Sequence, residues 1–273
     1  MRTLLALVLA TPLTLFAQAH SHDGHDHDHG ASDLGNIGKA HLETSCSEAA
    51  GNEIDRGVAL IHSFWYAEAE KAFRRAAASD AECGMAWWGV AMSNLHPIWA
   101  PPTPDELKTG REAAEKAKQV GAKTDREKAF IGAIATFYAD SDKVDHKTRM
   151  AAYEAAMAAV ERDHPKDREA AIFHALSLLG IVQPNDKTYA HQKQAAEILN
   201  RVLPEQPDHP GVAHYLIHSF DYPELAPLAL PAPRVYAKLA PGSPHALHMP
   251  SHIFTRLGLW DESIPSNLAS AEK

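Results

Sequence analysis

The stretch "GVALIHSFWYAEAEKAFRRA", residues 57–76, carries the spacing on which a helical interpretation of the chain depends. Small residues stand at Gly57, Ala69 and Ala76, and an aromatic ring, Phe73, lies between the last two. Small residues allow two helices to approach closely, and an aromatic ring fills the gap that remains between them. The pattern therefore predicts two antiparallel helices that pack through these four positions.

An internal period extends this pattern along the chain. When Gly57 is taken as position 8 of a 34-residue tetratricopeptide repeat, the other three residues fall where that repeat carries small, large and small side chains. Repeats that start at Pro210 and Pro244 return to the same register, whereas the section from about 100 to 190 is helical in pattern but out of strict register. Strand patterns are almost absent. We therefore predict an all-α fold, a tetratricopeptide-like α-solenoid of antiparallel helix hairpins, over residues 44–273.

Four longer stretches resemble exported bacterial tetratricopeptide-repeat proteins of unassigned function. They are "LIHSFWYAEAEKAF" (60–73), "CGMAWWGVAMSNLHP" (83–97), "HPGVAHYLIHSFDYPELA" (209–226) and "HALHMPSHIFTRLGLWDESI" (245–264). The resemblance covers about residues 44–273 and implies a repeat fold and export, but it assigns no chemistry. Members of that family typically continue past the point where this sequence stops, and no polar capping helix follows the last predicted helix. We therefore expect the sequence to be a fragment.

The N-terminus has the features of an export signal. Arg2 precedes the short apolar run "LLALVLATPLTLF", and "AQA" at 17–19 fits cleavage after Ala19. The run is too short to cross a membrane, and no later stretch is long enough either. We predict that residues 1–19 are a cleaved signal peptide and that the protein is periplasmic or secreted.

Residues 20–43 form a polar, glycine-containing segment that begins with alternating His and Asp. Because it offers no apolar face, we predict a disordered tail. Imidazole suits Zn, Cu and Ni, so the tail either binds such ions weakly or is a solvated linker without selected affinity. The five tail histidines are His20, His22, His25, His27 and His29.

Net charge and cysteine content indicate which partners are disfavoured and whether the two cysteines form a disulfide. The formal net charge of -9 and the pI near 6.0 argue against attraction to nucleic acid or anionic lipid. Cys46 and Cys83 are the only cysteines. In an oxidising compartment such a pair favours a disulfide over a reactive thiol. We predict that this bridge joins the first repeat to the second.

Two histidine pairs stand one repeat apart. "HYLIH" places His214 and His218 four residues apart, and "HMPSH" does the same for His248 and His252. Adding 34 to each residue number of the first pair gives the second. Residues four apart share one helix face, and in the predicted register all four side chains point into the concave groove. We therefore predict that the four imidazoles bind one Zn, Cu or Ni ion.

Two other interpretations of these histidines remain open. They could line a metal-free groove that binds a peptide or protein, or they could be structural and hydrogen-bonded to backbone carbonyls. Pro250 complicates the metal site, because a helix that begins at this proline would leave His248 in the preceding turn. Secondary candidates for the site are His245, His209, His174 and Asp221.

Known catalytic motifs are missing from the sequence. Neither pair has the neighbouring glutamate of an H-E-x-x-H protease, and the chain contains no G-x-S-x-G motif and no phosphate-binding glycine loop. A His-ligated metalloenzyme would require a carboxylate that points at an open coordination position. The sequence therefore favours a binding protein over an enzyme.

Overall fold

The computed structural model describes residues 34–98 and 100–273. All regular secondary structure in these ranges is helical, so the predicted all-α class is confirmed. The predicted signal peptide and the five tail histidines lie outside the described residues. The helices are α1 (Glu48–His62), α2 (Tyr66–Ser79), α3 (Gly84–Ser93), α4 (Pro104–Val120), α5 (Asp125–Tyr138), α6 (His146–Asp163), α7 (Arg168–Gly180), α8 (Ala190–Val202), α9 (Pro210–Phe220), a 3-10 helix (Ala226–Ala229), α10 (Pro231–Leu239), α11 (Pro244–His248), α12 (Pro250–Arg256) and α13 (Trp260–Ala271).

Local sequence signals explain where several helices begin. The Thr103 hydroxyl accepts from the backbone N–H of Glu106, whose carboxylate accepts from the Thr103 N–H, and Thr124 and Glu127 repeat this arrangement at α5. Such capping boxes satisfy two backbone donors that a helix N-terminus otherwise leaves unpaired. None of the helices in the described ranges has the length and apolar character needed to span a bilayer.

Two of the four packing positions of the opening stretch, Gly57 and Phe73, meet as predicted, and the other two, Ala69 and Ala76, are fully buried. Phe73 is fully buried, and a Cβ added at Gly57 would lie 2.7 Å from its ring. At Gly89 of α3 an added Cβ would lie 2.0 Å from the same ring. The two glycines therefore allow α1 and α3 to close on one aromatic side chain, which confirms the packing predicted for this segment.

Edge-to-face contacts between aromatic rings connect α3 with α5 and with α7. The ring of Trp88 in α3 meets those of Phe130 in α5 and Phe173 in α7 edge-to-face, with centroids 5.7 Å and 5.4 Å away. Such edge-to-face pairs stabilise a core beyond the area they bury. Phe173 also lies 4.9 Å from the ring of His62 at the end of α1. These contacts bring the odd-numbered helices together in the interior.

Sequence neighbours account for most of the helix packing, because each helix contacts the next. Alternate helices also touch, as in α1 with α3, α3 with α5 and α7 with α9. Helices more distant in the sequence also meet: α1 packs against α9, and the hydroxyl of Tyr215 lies 2.9 Å from Nδ1 of His62. In an open solenoid each repeat contacts only its neighbours. Here the chain folds back so that its first and ninth helices meet.

The folded part begins earlier than the predicted residue 44. Residues 34–43 form an irregular segment without regular secondary structure, in which Leu34, Ile37 and Leu42 are buried. The Asp55 carboxylate accepts from the Leu42 N–H at 2.9 Å, and the Asn36 carbonyl accepts from the Gly242 N–H at 2.8 Å. The polar composition of the tail concealed these three apolar side chains, so the predicted disorder does not extend to residue 43.

The predicted disulfide between Cys46 and Cys83 is confirmed. It joins the residues before α1 to the N-terminus of α3, with the two Cα atoms 5.1 Å apart. The bridge therefore holds the first and third helices together at the end remote from His62.

Candidate metal centre

Helix α9 supplies the first two histidines of the site. His214 and His218 lie one turn apart on the same face, and their Nε2 atoms are 3.0 Å from each other. Pro210 at the first helical position starts α9, where the missing N–H of proline costs nothing. His214 is fully buried, and His218 is partly exposed.

Helix α11 supplies the third histidine. Nε2 of His245 lies 3.0 Å from Nε2 of His214. The three ring nitrogens offered by these histidines all lie within 4.8 Å of one another. His245 was only a secondary candidate in the sequence, yet the fold brings it to the same point as the α9 pair. We call His214, His218 and His245 the triad.

The backbone determines which nitrogen of His214 carries a proton. Nδ1 of His214 lies 2.6 Å from the carbonyl oxygen of His62, so it donates its N–H there. Nε2 of a neutral His214 is therefore a bare acceptor. One lone pair can accept a single N–H well, but two imidazole nitrogens approach it at 3.0 Å. The triad is thus incompletely satisfied by hydrogen bonds among its own members.

Burial keeps the triad uncharged. Burial is the main cause that lowers the pKa of His218 to about 3, and the neighbouring His245 and His252 add to it. Burial likewise lowers the pKa of His245 to about 3, together with His248 and His252, and holds the pKa of His214 well below its usual value. Neutral imidazole is the form that binds metal ions.

Phe64 forms one wall of the triad. Its ring stacks on His218 and His245 with centroids 5.4 Å and 5.3 Å away, and it meets His214 edge-on at 4.4 Å. The backbone of Phe64 has a φ of 54°, in the left-handed region that bulky residues rarely adopt. Such conformations persist where the surrounding structure enforces them. The turn between α1 and α2 thus directs an apolar ring against three polar ones.

His248 and His252 form a separate pair beside the triad. Their Nε2 atoms are 3.0 Å apart. The ring of His248 lies 6.3 Å from that of His245, and the ring of His252 lies 6.4 Å from that of His218. The four imidazoles predicted to surround one point are therefore divided, two in the triad and two in this second pair.

Pro250 divides the segment that carries His245, His248 and His252 into two helices. Helix α11 ends at His248, Met249 connects it to α12, and Pro250 is the first residue of α12. A proline inside a continuous helix would lose a hydrogen bond and clash with the preceding turn, so the chain forms two short helices instead. The second pair therefore spans the junction of two short helices, yet its Nε2 atoms are as close as those of the pair on α9, at 3.0 Å.

The remaining secondary candidates lie elsewhere. Asp221 accepts from Nδ1 of His252 at 2.8 Å and from Nε of Arg256 at 2.9 Å, so it contacts the second pair. His174 lies apart from both groups, because its ring is hydrogen-bonded to Glu161 and to Glu154.

His209 belongs to a buried hydrogen-bond network next to the triad. Each carboxylate oxygen of Glu169 accepts one hydrogen bond, from Nε2 of His62 at 2.9 Å and from Nε2 of His209 at 2.8 Å. Burial raises the pKa of Glu169, but the charges of His209 and His62 and their hydrogen bonds outweigh it, and the pKa falls far below its usual range. The three ligand atoms of this network also lie within 4.8 Å of one another. We call His62, Glu169 and His209 the Glu169 network.

Two cavities reach the histidines from different sides. A cavity of about 520 Å³ beside Phe64 and Trp65 includes His245 in its wall, together with His96 and Glu106. A second, of about 620 Å³, is lined by the second pair, Asp221 and Arg256 among others. A small molecule or ion can therefore approach the triad and the second pair separately.

Sequence reasoning missed the residues that support the histidines. The His62 carbonyl reaches His214 only because α1 packs on α9, and no sequence pattern signals this contact. Asn267 accepts from His248 at 2.7 Å across the gap from α13.

No model of a known protein family matches the chain, and no curated protein matches it.

Proposed function

We propose that the chain is an exported helical-repeat protein, related in architecture to tetratricopeptide solenoids, that binds Zn, Cu or Ni through the triad. The convergence of two Nε2 atoms, those of His218 and His245, on Nε2 of His214 carries this proposal. The inward-facing nitrogen of His214 is bare because its other nitrogen donates to a carbonyl. Metal-binding histidines in proteins are held in this manner by an acceptor on the second ring nitrogen.

The distances suit a transition-metal ion. With metal–nitrogen bonds of about 2.0–2.1 Å, two ligands lie about 3.3 Å apart in a tetrahedral site and about 2.9 Å apart in a square-planar one. The two distances of 3.0 Å from Nε2 of His214 fall between these values, and the third, between the ring nitrogens of His218 and His245, is within 4.8 Å. Three protein ligands leave a coordination position for a water molecule or a bound ligand.

A binding role agrees with the carboxylates near the histidines. A water-activating metalloenzyme requires a carboxylate that points at the open position. The group that converges on His214 consists of histidines alone, and both oxygens of Asp221 are used by His252 and Arg256. Asp221 therefore acts as a hydrogen-bond acceptor, and we assign binding rather than hydrolysis to the triad.

The test is metal content in matched variants. The mature chain is prepared with its tail histidines replaced by alanine, so that they add no background, and is dialysed against Zn, Cu or Ni. The protein with an intact triad should retain stoichiometric metal. His218→Ala should lower the retained metal by at least one equivalent, since His218 is partly exposed and its removal leaves no large buried cavity. His164→Ala, in the loop after α6, is the matched control and should change nothing.

Metal retained equally by His218→Ala would contradict the triad as the site. A protein that retains no metal in any form would leave the metal-free peptide- or protein-binding groove as the better interpretation.

A further inference from the structure

The second pair has its own hydrogen-bond acceptors, independent of those that hold the triad. Nδ1 of His248 lies 2.7 Å from Oδ1 of Asn267, and Nδ1 of His252 lies 2.8 Å from Oδ2 of Asp221. The four partners come from α11, α12, α13 and the end of α9. Hydrogen bonds at Nδ1 therefore hold both rings, and their Nε2 atoms face each other.

The orientation of Asn267 follows from its other contacts. Its Nδ2 donates to the Ser263 carbonyl at 3.2 Å, and its Oδ1 accepts from the Ser251 hydroxyl at 3.3 Å. The oxygen therefore faces His248, and an amide oxygen can only accept. Nδ1 of His248 must carry the proton, which leaves Nε2 of a neutral His248 without one.

The hydrogen bonds of Asp221 likewise determine which nitrogen of His252 carries a proton. The other oxygen of Asp221 accepts from Nε of Arg256 at 2.9 Å, and this cation favours the ionised carboxylate. An ionised carboxylate only accepts, so Nδ1 of His252 carries the proton and Nε2 of the neutral ring is bare. Two bare nitrogens thus face each other at 3.0 Å. Their lone pairs repel unless a cation lies between them, either a proton or a metal ion.

We propose that His248 and His252 bind a second transition-metal ion beside the one in the triad, so that the five histidines form a two-metal centre. This inference rests on the proposed function of the triad. Ring centroids only 6.3 Å and 6.4 Å apart link the two groups, so the ions are neighbours. The cavity of about 620 Å³ along the second pair gives water or a small anion access to the remaining positions of the second ion. Asp221 and Asn267 are positioning residues for this ion.

The experiment compares metal stoichiometry and magnetic coupling in the mature chain, again with the tail histidines replaced by alanine. Titration with Cu(II) followed by dialysis should leave two equivalents in the protein with all five histidines. His252→Ala should leave one, and His248→Gln, which keeps the size of the side chain, should do the same. His164→Ala should keep two. Near-ultraviolet circular dichroism confirms that each variant retains its tertiary packing.

Electron paramagnetic resonance then tests whether the ions are neighbours. Two adjacent Cu(II) ions interact, so the protein with two equivalents should give a broadened signal of reduced intensity. His252→Ala should give an isolated Cu(II) signal that accounts for all its copper. Two equivalents with full, uncoupled intensity would contradict a two-metal centre.

The two proposals fail in different ways. One equivalent that is lost in His218→Ala but kept in His252→Ala and His248→Gln would overturn the second ion and leave the triad intact. In that case a shared proton occupies the second pair. No bound copper in any form would overturn both proposals.

Discussion

The Glu169 network and the triad lie next to each other, and each brings three potential ligand atoms within 4.8 Å. They differ in how their protons are used. In the Glu169 network, each carboxylate oxygen accepts one imidazole N–H, and the Tyr215 hydroxyl satisfies the other nitrogen of His62. In the triad, nitrogens face nitrogens. Proximity of ligand atoms is thus shared by both groups, but the central acceptor is a pair of carboxylate oxygens in the Glu169 network and a single bare nitrogen, Nε2 of His214, in the triad.

The comparison also assigns a structural role to the Glu169 network. Its hydrogen bonds hold the ring of His62, and the carbonyl oxygen of the same residue accepts from Nδ1 of His214. A change in the network should therefore affect stability first, whereas a change in the triad should affect metal binding first. The predictions below test this separation, in order of decreasing effect.

Removal of the central carboxylate should have the largest effect. Glu169→Ala leaves two buried imidazole N–H groups without an acceptor and removes the charge that pairs with them. We expect the free energy of unfolding to fall by about 3–5 kcal/mol, measured by urea denaturation of the metal-free protein. Glu205→Ala removes an exposed partner of Arg168 and should cost at most about 1 kcal/mol. Equal losses in the two variants would show that the network is not a stabilising element.

Metal should stabilise the protein through the triad. At a free metal concentration 100 times the dissociation constant, binding adds about 2.7 kcal/mol to the free energy of unfolding. Thermal denaturation should show a corresponding rise in the melting temperature that is much reduced in His218→Ala. The metal-free forms of the two proteins should differ less than the metal-bound forms. An equal rise in His218→Ala would place the stabilising ion elsewhere.

Asp221 should influence the second ion alone. Asp221→Asn keeps the shape of the side chain but removes the charge that orients His252. Outer hydrogen-bond partners of metal ligands typically change affinity 10- to 100-fold. We expect weakening of this size for the more weakly bound equivalent in calorimetric titrations, with the triad equivalent unchanged. Weakening of both equivalents together would show that the two groups do not act separately.

The Glu169 network should also impose a pH dependence on stability. The pKa of Glu169 is lowered in the folded protein, so its contribution to stability is complete above the unfolded pKa of about 4.3 and is lost as pH falls through the folded value. Glu169→Gln cannot lose a charge in this way. The difference in unfolding free energy between the unchanged protein and Glu169→Gln should therefore shrink below about pH 4, by at most about 1.4 kcal/mol per pH unit. A constant difference down to pH 3 would contradict the assignment.

Local patterns were sufficient to predict much of the fold. The helix class, the packing of Phe73 against Gly57 and the Cys46–Cys83 bridge follow from spacing, composition and the expected compartment. The closure of α1 on α9 could not be predicted, because it depends on how small angles between successive helices add up along the chain. No pattern of residue types in the sequence indicates how these interhelical angles add up.

The candidate site shows the same division. The i,i+4 spacing correctly placed His214 next to His218, since one helix carries both. It could not assign His245 to the triad and His248 to the second pair, because that assignment depends on how α11 lies against α9. The acceptors behind the rings, the His62 carbonyl and Asn267, come from other helices and leave no local signal.

A crystal structure of the metal-loaded protein, with anomalous diffraction recorded at the absorption edge of the metal, tests the central claim most directly. If the triad binds the metal, we expect an anomalous peak about 2.1 Å from the Nε2 atoms of His214, His218 and His245. A metal-loaded crystal with no peak at that position, and with its metal bound elsewhere on the chain, would contradict it.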